Sequence, residues 1–362
     1  VRGKPLTIFL LMLTLSGLGL IIVGSATSWI SLKQYNDSFY MLKKQAFSFL
    51  LGLISFFIMF SIPLKTLRKY AHWIVFVSLF LMALLLTPLA VNSGGSTRWL
   101  YLFGFQFQPS EVLKLAIIVF LSALFSKAAF NKKSWTAWFS SALFALVPVI
   151  CIAAEPDIGS AITVLAAVLI IFFIGGMPIK QIMVGIPLIA GGMAAVILFV
   201  PYAKARILSF ANPGLDPLGT GYNQIQSIIG VKAGGIFGRG LGLSLQKFQW
   251  LPQAYNDFIF SILAEETGFI GVLIFLGFYL ALLITGFQLG LKSQQPFNSL
   301  LAVGISSLLA IQALLHIGVS CGILPVTGIT LPFLSYGGTS LLISMMSCGI
   351  LARIAKEEAV VL

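Results

Sequence analysis

Leu6–Ile30 reads LTIFLLMLTLSGLGLIIVGSATSWI, 25 consecutive residues with no ionisable side chain. At 1.5 Å of rise per residue a helix of that length crosses the roughly 30 Å of hydrocarbon in a bilayer. Nine more apolar runs follow: Gln45–Ile62, Trp73–Val91, Pro109–Phe125, Trp135–Ala153, Gly159–Ile174, Ile182–Val200, Phe258–Gln288, Asn298–Ile317 and Thr339–Ile354. The whole chain shares the bias, with 59% hydrophobic residues, 9% charged residues and a mean hydropathy of +1.03. Soluble domains carry about a quarter of their residues charged, so the solvent of this chain is lipid. In lipid each backbone polar group needs a partner within the protein, which leaves helical bundles or closed barrels. Barrel strands alternate over about ten residues, whereas these runs are continuous. The expectation is an all-α, polytopic integral membrane bundle of about ten transmembrane helices, one transmembrane domain over residues 1–362.

The first run follows Arg2 and Lys4, as in a signal peptide, but it exceeds the 7 to 15 apolar residues of a signal core, so a retained first helix is expected. An even number of spans puts both chain ends on one side. Loops on that side carry twelve Lys and Arg, including Arg2, Lys65, Arg68, Lys69, Lys127 and Lys356, against four in the short loops opposite. Positive charge marks the cytoplasmic side, so both termini are expected there. Residues 201–257 form a long extracytoplasmic loop in this reading. Loops of that length are commonly functional, and Ile225, Ile228, Ile229 and Val231 within it suit a short amphipathic helix at the interface.

The formal charge of +12 reflects 22 Lys and Arg facing 10 Asp and Glu. Anionic membrane lipids and a phosphate-bearing lipid substrate are the matching partners, and nucleic acid is excluded because no soluble basic face is present. Cys151, Cys321 and Cys348 lie in or beside apolar runs without CxxC spacing, which indicates neither a zinc site nor a disulfide framework. GRGLG at 238–242 lacks the preceding strand and following βαβ unit of a dinucleotide fingerprint.

Ionisable groups in or beside spans are costly, so each needs a reason. Glu111 opens a helix after Gln108-Pro109-Ser110, and Lys114, three residues on, can pair with it. Glu155-Pro156-Asp157 forms an outward turn whose Asp can cap the next helix, and Arg98 can either snorkel at the interface or grip phosphate. Asp257 ends the long loop where the run from Phe258 begins. It can be a helix cap, or a carboxylate that deprotonates an alcohol beside an anionic leaving group. Glu265 lies about 12 Å deeper along the helix. Glu265 and Glu266 are expected to pair with Lys114 or to bond neighbouring helices.

Taken together, RWL at 98–100, QPSE at 108–111, EPDIGS at 155–160, GYNQIQSIIGVKAGG at 221–235, GLGLSLQK at 240–247, DFIFSILAEETGFIG at 257–271 and LPVTGITLPFLSYGGTS at 324–340 resemble the SEDS family of FtsW, RodA and SpoVE. GLGLSLQK and GITLPFLSYGGTS look closer to the FtsW and SpoVE branch. The resemblance implies a peptidoglycan glycosyltransferase that polymerises lipid II at the outer face of the cytoplasmic (inner) membrane, extending undecaprenyl-pyrophosphate-linked glycan beside a class B penicillin-binding protein. Asp257 matches the family's essential acid, and Arg98, Glu111, Lys114 and Asp157 fall in its other motifs. Inversion at the sugar would need one base, Asp257, with Arg98, Lys114 and Arg206 facing the departing pyrophosphate and Lys247 among the substrate-binding residues. A divalent cation could share that task, although no metal-ligand cluster is visible in the sequence. Tyr255-Asn256 stands where His-Thr or His-Ser is common, Thr267 replaces a usual Leu, Thr327 a common Lys, and His316 a frequent Asn. The competing readings are a lipid II flippase, which needs no general base, and a non-catalytic scaffold of the division or elongation machinery.

Overall fold

The computed structural model describes residues 3–361 apart from 94, 95, 103, 104, 156 and 200. Arg2 of the charge count, Pro156 of the expected turn and Val200 at the end of an expected run lie outside the described residues. Each expected run falls on a helix: α1 (Lys4–Tyr35), α2 (Tyr40–Ser61), α3 (Leu64–Ala83), α4 (Pro109–Phe125), α5 (Trp135–Ala154), α6 (Ile158–Gly175) and α7 (Ile179–Phe199), then, after two short helices described below, α10 (Ile259–Lys292), α11 (Pro296–Ser320) and α12 (Gly338–Val361). Eight of these are long and apolar enough to cross a membrane. The other two, α4 and α7, have 17 and 21 residues. The chain is a polytopic helical membrane protein.

Local chemistry sets the helix ends. Pro109 and Pro296 open α4 and α11, where their missing N–H groups would have no partner anyway. Ser134 caps α5 by accepting from Ala137 N–H at 3.3 Å, and Asp157 caps α6 by accepting from Ser160 N–H at 3.1 Å. At its far end α1 stops on Asn36 in a left-handed conformation.

Burial divides the bundle into a centre and a periphery. The apolar stretches of α11 and α12 are 72% and 78% buried within the protein, whereas those of α2, α3 and α5 are 28% buried. The remaining apolar surface of the outer helices, such as Phe76 and Ile150, has only lipid to meet. Small residues let the central helices approach closely. A side chain on Gly349 of α12 would strike the backbone of Phe56 on α2, and one on Gly290 of α10 would strike Val303 on α11.

Two regions depart from the sequence reading. The run Trp73–Val91 does not stay helical to its end. After α3 and a single 3-10 turn at Leu84–Leu86 it enters a three-stranded antiparallel sheet in the order β1 (Ala90–Ser93), β2 (Ser96–Leu102), β3 (Phe105–Phe107). The stretch read as a long loop holds two helices, α8 (Pro201–Ala211) and α9 (Tyr222–Ala233), among turns. The second is the amphipathic helix expected around Ile225–Val231.

α10 is broken at Gly268, whose φ of 66° and ψ of −170° are left-handed, extended values that a side chain would strain. A break strands backbone groups that lipid cannot satisfy, and residues 235–240 replace the lost partners. Arg239 and Gly240 donate to the carbonyls of Glu265 and Glu266 at 2.9 and 3.0 Å, while Phe269 and Ile270 donate to those of Gly235 and Ile236 at 3.0 and 3.2 Å.

The bundle has two chemically distinct ends. At one, Lys4 donates to Gln288 late in α10, Leu64 N–H reaches Glu357 late in α12, and Arg68 donates to the Ser126 carbonyl after α4. The first and last described turns of the chain therefore share this end. The sheet, the start of α4, the α5–α6 turn and the start of α10 lie at the other.

Candidate active site

Asp257 sits two residues before α10, in a turn closed by its own N–H donating to Gln253 O at 3.0 Å, with Gln253 held at a φ of 56°. The connection between α11 and α12 grips this turn from the far side of the chain. Ser335 accepts from Leu331 N–H and donates to the Asn256 carbonyl, both at 2.8 Å, and Tyr336 N–H donates to Tyr255 O at 2.9 Å. Gln45 of α2 fastens that connection in turn, donating to Ser335 O at 3.3 Å and accepting from Gly337 N–H at 3.2 Å. The half-buried carboxyl of Asp257 is thus carried on backbone fixed by three separate elements.

Cations approach from two more. Arg206 on α8 donates to the Val326 carbonyl at 2.8 Å. A methyl group built on Gly328 would lie 3.7 Å from Asp257 Oδ2 and 3.9 Å from Arg206 Nη2, so acid and guanidinium both border the space beside that glycine. Arg98 on β2 donates through Nε to the Glu155 carbonyl at 2.8 Å, which ties the sheet to the α5–α6 turn. Gly159, two residues beyond the Asp157 cap, lies against Thr327 and Ile329 of the same α11–α12 connection.

The charges in this space act on one another. Burial pushes the Asp257 carboxyl up to about 6; Arg206 opposes that rise, Asp157 adds to it, and Arg98 opposes it again. Burial and then Asp157 push Glu155 up to about 8, with Arg98 opposing. The Tyr255 hydroxyl is also raised, by burial and by the Asp257 charge.

Of the residues singled out from sequence, Asp257, Arg206, Arg98 and Asp157 come together here. Glu111 and Lys114 do not join them in the same way: they pair with each other at 2.7 Å, buried at the start of α4. Lys247 is also buried and committed, with its ammonium on Ser25, on the Gly242 carbonyl and on Glu266 at 3.4 Å. Lys114 is therefore not the partner of Glu265 or Glu266, as one alternative had it. Glu265 accepts from Ser244 Oγ at 2.5 Å and from the N–H groups of Leu245 and Gln246 at 3.0 and 3.3 Å, and faces Arg239 at 3.4 Å. Glu266 accepts from Ser25 of the neighbouring α1 at 2.5 Å, as the other alternative expected. A cavity of about 260 Å³ between Ala26 and Ile30 of α1 and residues 249–255 has Lys247 and Tyr255 on its wall.

Sequence reading passed over Glu155, Gln45 and Ser335 as parts of the site. Glu155 stood inside the quoted EPDIGS motif; Gln45 and Ser335 gave no local signal, because their partners are about 290 residues away or in another loop. Among the described residues no group of three His, Cys, Asp or Glu side chains is arranged to hold a metal ion.

The arrangement defines a class: a helical membrane protein with a half-buried acid and two guanidiniums that act on it at one end of the bundle. The profile of the FtsW/RodA/SpoVE family, described as cell cycle protein, matches residues 5–360, and the chain belongs to that family. It is 38% identical to "Stage V sporulation protein E" of Bacillus subtilis (strain 168), over 98% of this chain and 97% of that one. It is 36% identical to "Probable peptidoglycan glycosyltransferase FtsW" of Geobacter sulfurreducens (strain DL-1 / KN400), over 99% and 96%. Among solved structures it is similar to a chain from "Structural coordination of polymerization and crosslinking by a peptidoglycan synthase complex", with a TM-score of 0.80, 28% identity and 97% coverage of both chains. It is also similar to the rod shape determining protein RodA of Thermus thermophilus, with a TM-score of 0.70, 26% identity and coverage of 97% and 96%.

Proposed function

We propose that this chain is a peptidoglycan glycosyltransferase that polymerises lipid II, with Asp257 as the general base. The observation that carries the reading is a half-buried carboxyl held on fixed backbone with two guanidiniums in electrostatic range. A base with a pKa near 6 is mostly ionised at pH 7 and accepts a proton more readily than a free aspartate. The acceptor is the 4-hydroxyl of a GlcNAc, and the donor is a MurNAc α-linked through pyrophosphate to undecaprenol. As the hydroxyl oxygen bonds to the anomeric carbon from the β face, its proton passes to Asp257. The bond from that carbon to the pyrophosphate breaks, and the lipid pyrophosphate leaves with the electron pair. Arg206 and Arg98 stabilise the charge that develops on it, in a site where burial strengthens each interaction.

Asp157 and Glu155 steady Arg98 and the α5–α6 turn. Glu111, Lys114 and Lys247 hold the scaffold; their charges are already matched within it. The relatives' names and the synthase complex support a lipid-linked substrate and a class B penicillin-binding protein as the partner. The twelve-to-four excess of Lys and Arg in the short loops supports a site end that faces outward and termini that face the cytoplasm.

Purified protein supplied with lipid II, alone and with a class B penicillin-binding protein, tests the assignment by gel separation of the glycan products. Polymer is expected from the wild type and not from Asp257→Ala; polymer from both would remove Asp257 as the base, and lipid II transport without polymer would favour the flippase.

A further inference from the structure

At the end of the bundle away from Asp257 lies a cavity of about 510 Å³ between the start of α3 and the end of α4. Lys65, Arg68, Lys69, His72 and Lys127 line it, and no carboxylate does. None of these cations is in an ion pair among the described residues. Glu357, which reaches the start of α3, is engaged by Leu64 N–H at 3.1 Å and by Arg353 at 2.8 Å. Arg68 is anchored by donation to Ser126 O at 3.0 Å, which sets its guanidinium beside the cavity. Four long cationic side chains around one hollow repel one another, and nothing in the catalytic proposal uses them.

The walls say what would relieve that repulsion. The inner wall is apolar, with Phe120 and Leu124 of α4. From its rim an exposed stripe of Trp73, Phe76, Val77 and Phe80 continues along α3 at the spacing of one helix face. A soluble phosphate compound would meet only the cations. A molecule with an anionic head and long apolar chains fits both features, the head in the cavity and the chains along the stripe. Basic pockets between transmembrane helices hold the heads of anionic lipids in this way, and Tyr70 and Trp73 are exposed where interfacial aromatic residues lie.

We infer that the α3–α4 cavity is a binding site for the phosphate headgroup of an anionic phospholipid, on the same side as the chain ends. It is separate from the sugar-transfer site: the 17 residues of α4 place about 25 Å between them. The inference rests on the membrane placement proposed above but not on the chemistry at Asp257.

Native mass spectrometry of the full-length protein in detergent, titrated with phosphatidylglycerol, cardiolipin or phosphatidylethanolamine, tests it. The comparison variant is Lys65→Gln/Arg68→Gln/Lys69→Gln/Lys127→Gln, with Lys132→Gln/Lys133→Gln/Lys292→Gln as a control for charge on the same side. The wild type and the control should retain at least one anionic lipid, and the cavity variant should bind it roughly 10-fold or more weakly, since each juxtamembrane cation contributes several-fold. Excess inorganic phosphate should not displace the lipid. Equal retention by the cavity variant, equal retention of phosphatidylethanolamine, or equal loss in the control would each overturn the site. Displacement by phosphate would overturn the lipid assignment in favour of a soluble anion. Melting temperature and glycan polymerisation, read on the same samples, show whether the variant is folded and keep a failure here distinct from a failure of the enzymatic assignment.

Discussion

Asp257 and the pair Glu265–Glu266 stand eight and nine residues apart in one stretch of sequence, yet their surroundings are opposite. The two glutamates are crowded with donors: the backbone of Leu245 and Gln246, the hydroxyls of Ser25 and Ser244, and the cations Arg239 and Lys247. Asp257 accepts no hydrogen bond among the described residues; burial and two guanidiniums at a distance set its character. Glu265 is engaged through both oxygens and Glu266 through Oε1, and a carboxylate so engaged is a fastener, because taking a proton would cost it bonds it already makes. One left unsaturated beside cations keeps its lone pairs for a substrate. One segment supplies both, the fasteners sitting at the break in α10 and the acid just before its first turn.

The largest effect should separate the two groups outright. Asp257→Asn should lower polymerisation by about 10²–10⁴-fold, the range for losing a general base, with little change in melting temperature. Lys247→Met should do the reverse. It leaves the Glu266 charge buried without its cation and should cost about 3–5 kcal/mol in a detergent melt. Adding Glu266→Gln should recover much of that loss, and no recovery would mean that the pair is not what holds the loop.

Arg206→Gln should reduce kcat by about 10²-fold, as for removal of one group that stabilises developing charge. It should also move the pH profile. The base works ionised, so the wild-type rate should fall as pH drops below about 6. Arg206 favours the ionised form, so without it the acid limb should shift to higher pH; an unmoved limb would detach Arg206 from Asp257. Ser335→Ala should have the smallest effect, about 1 kcal/mol from the bonds to Leu331 and Asn256, visible as a modest drop in melting temperature.

The fold was legible because lipid imposes its rules locally. Uninterrupted apolar runs are sufficient evidence of spanning helices, and all ten expected runs fall on helices, as does the amphipathic stretch around Ile225. The sheet that carries Arg98 was not legible, because the apolar run Trp73–Val91 continues past Thr87-Pro88 into the first strand and hydropathy cannot show where a helix gives way to a strand. Nor was the break at Gly268, whose compensating bonds come from residues about 30 positions earlier.

Sequence by itself determined the solvent of this protein, the number and order of its apolar helices, and the identity of the acid and the arginines offered for chemistry, since length, apolarity and motif are properties of contiguous residues. Tertiary structure alone decided which charges were already spent. Lys247 looked as available as Arg206 until Glu266 was seen against it, whereas the pairing of Lys114 with Glu111 was already offered by their spacing; Gln45 and Ser335 became part of the site only when α2 and the α11–α12 connection closed over the Asp257 turn. The physical reason is that whether a charge is free depends on what lies within a few ångströms in space, which neighbours along the chain do not specify.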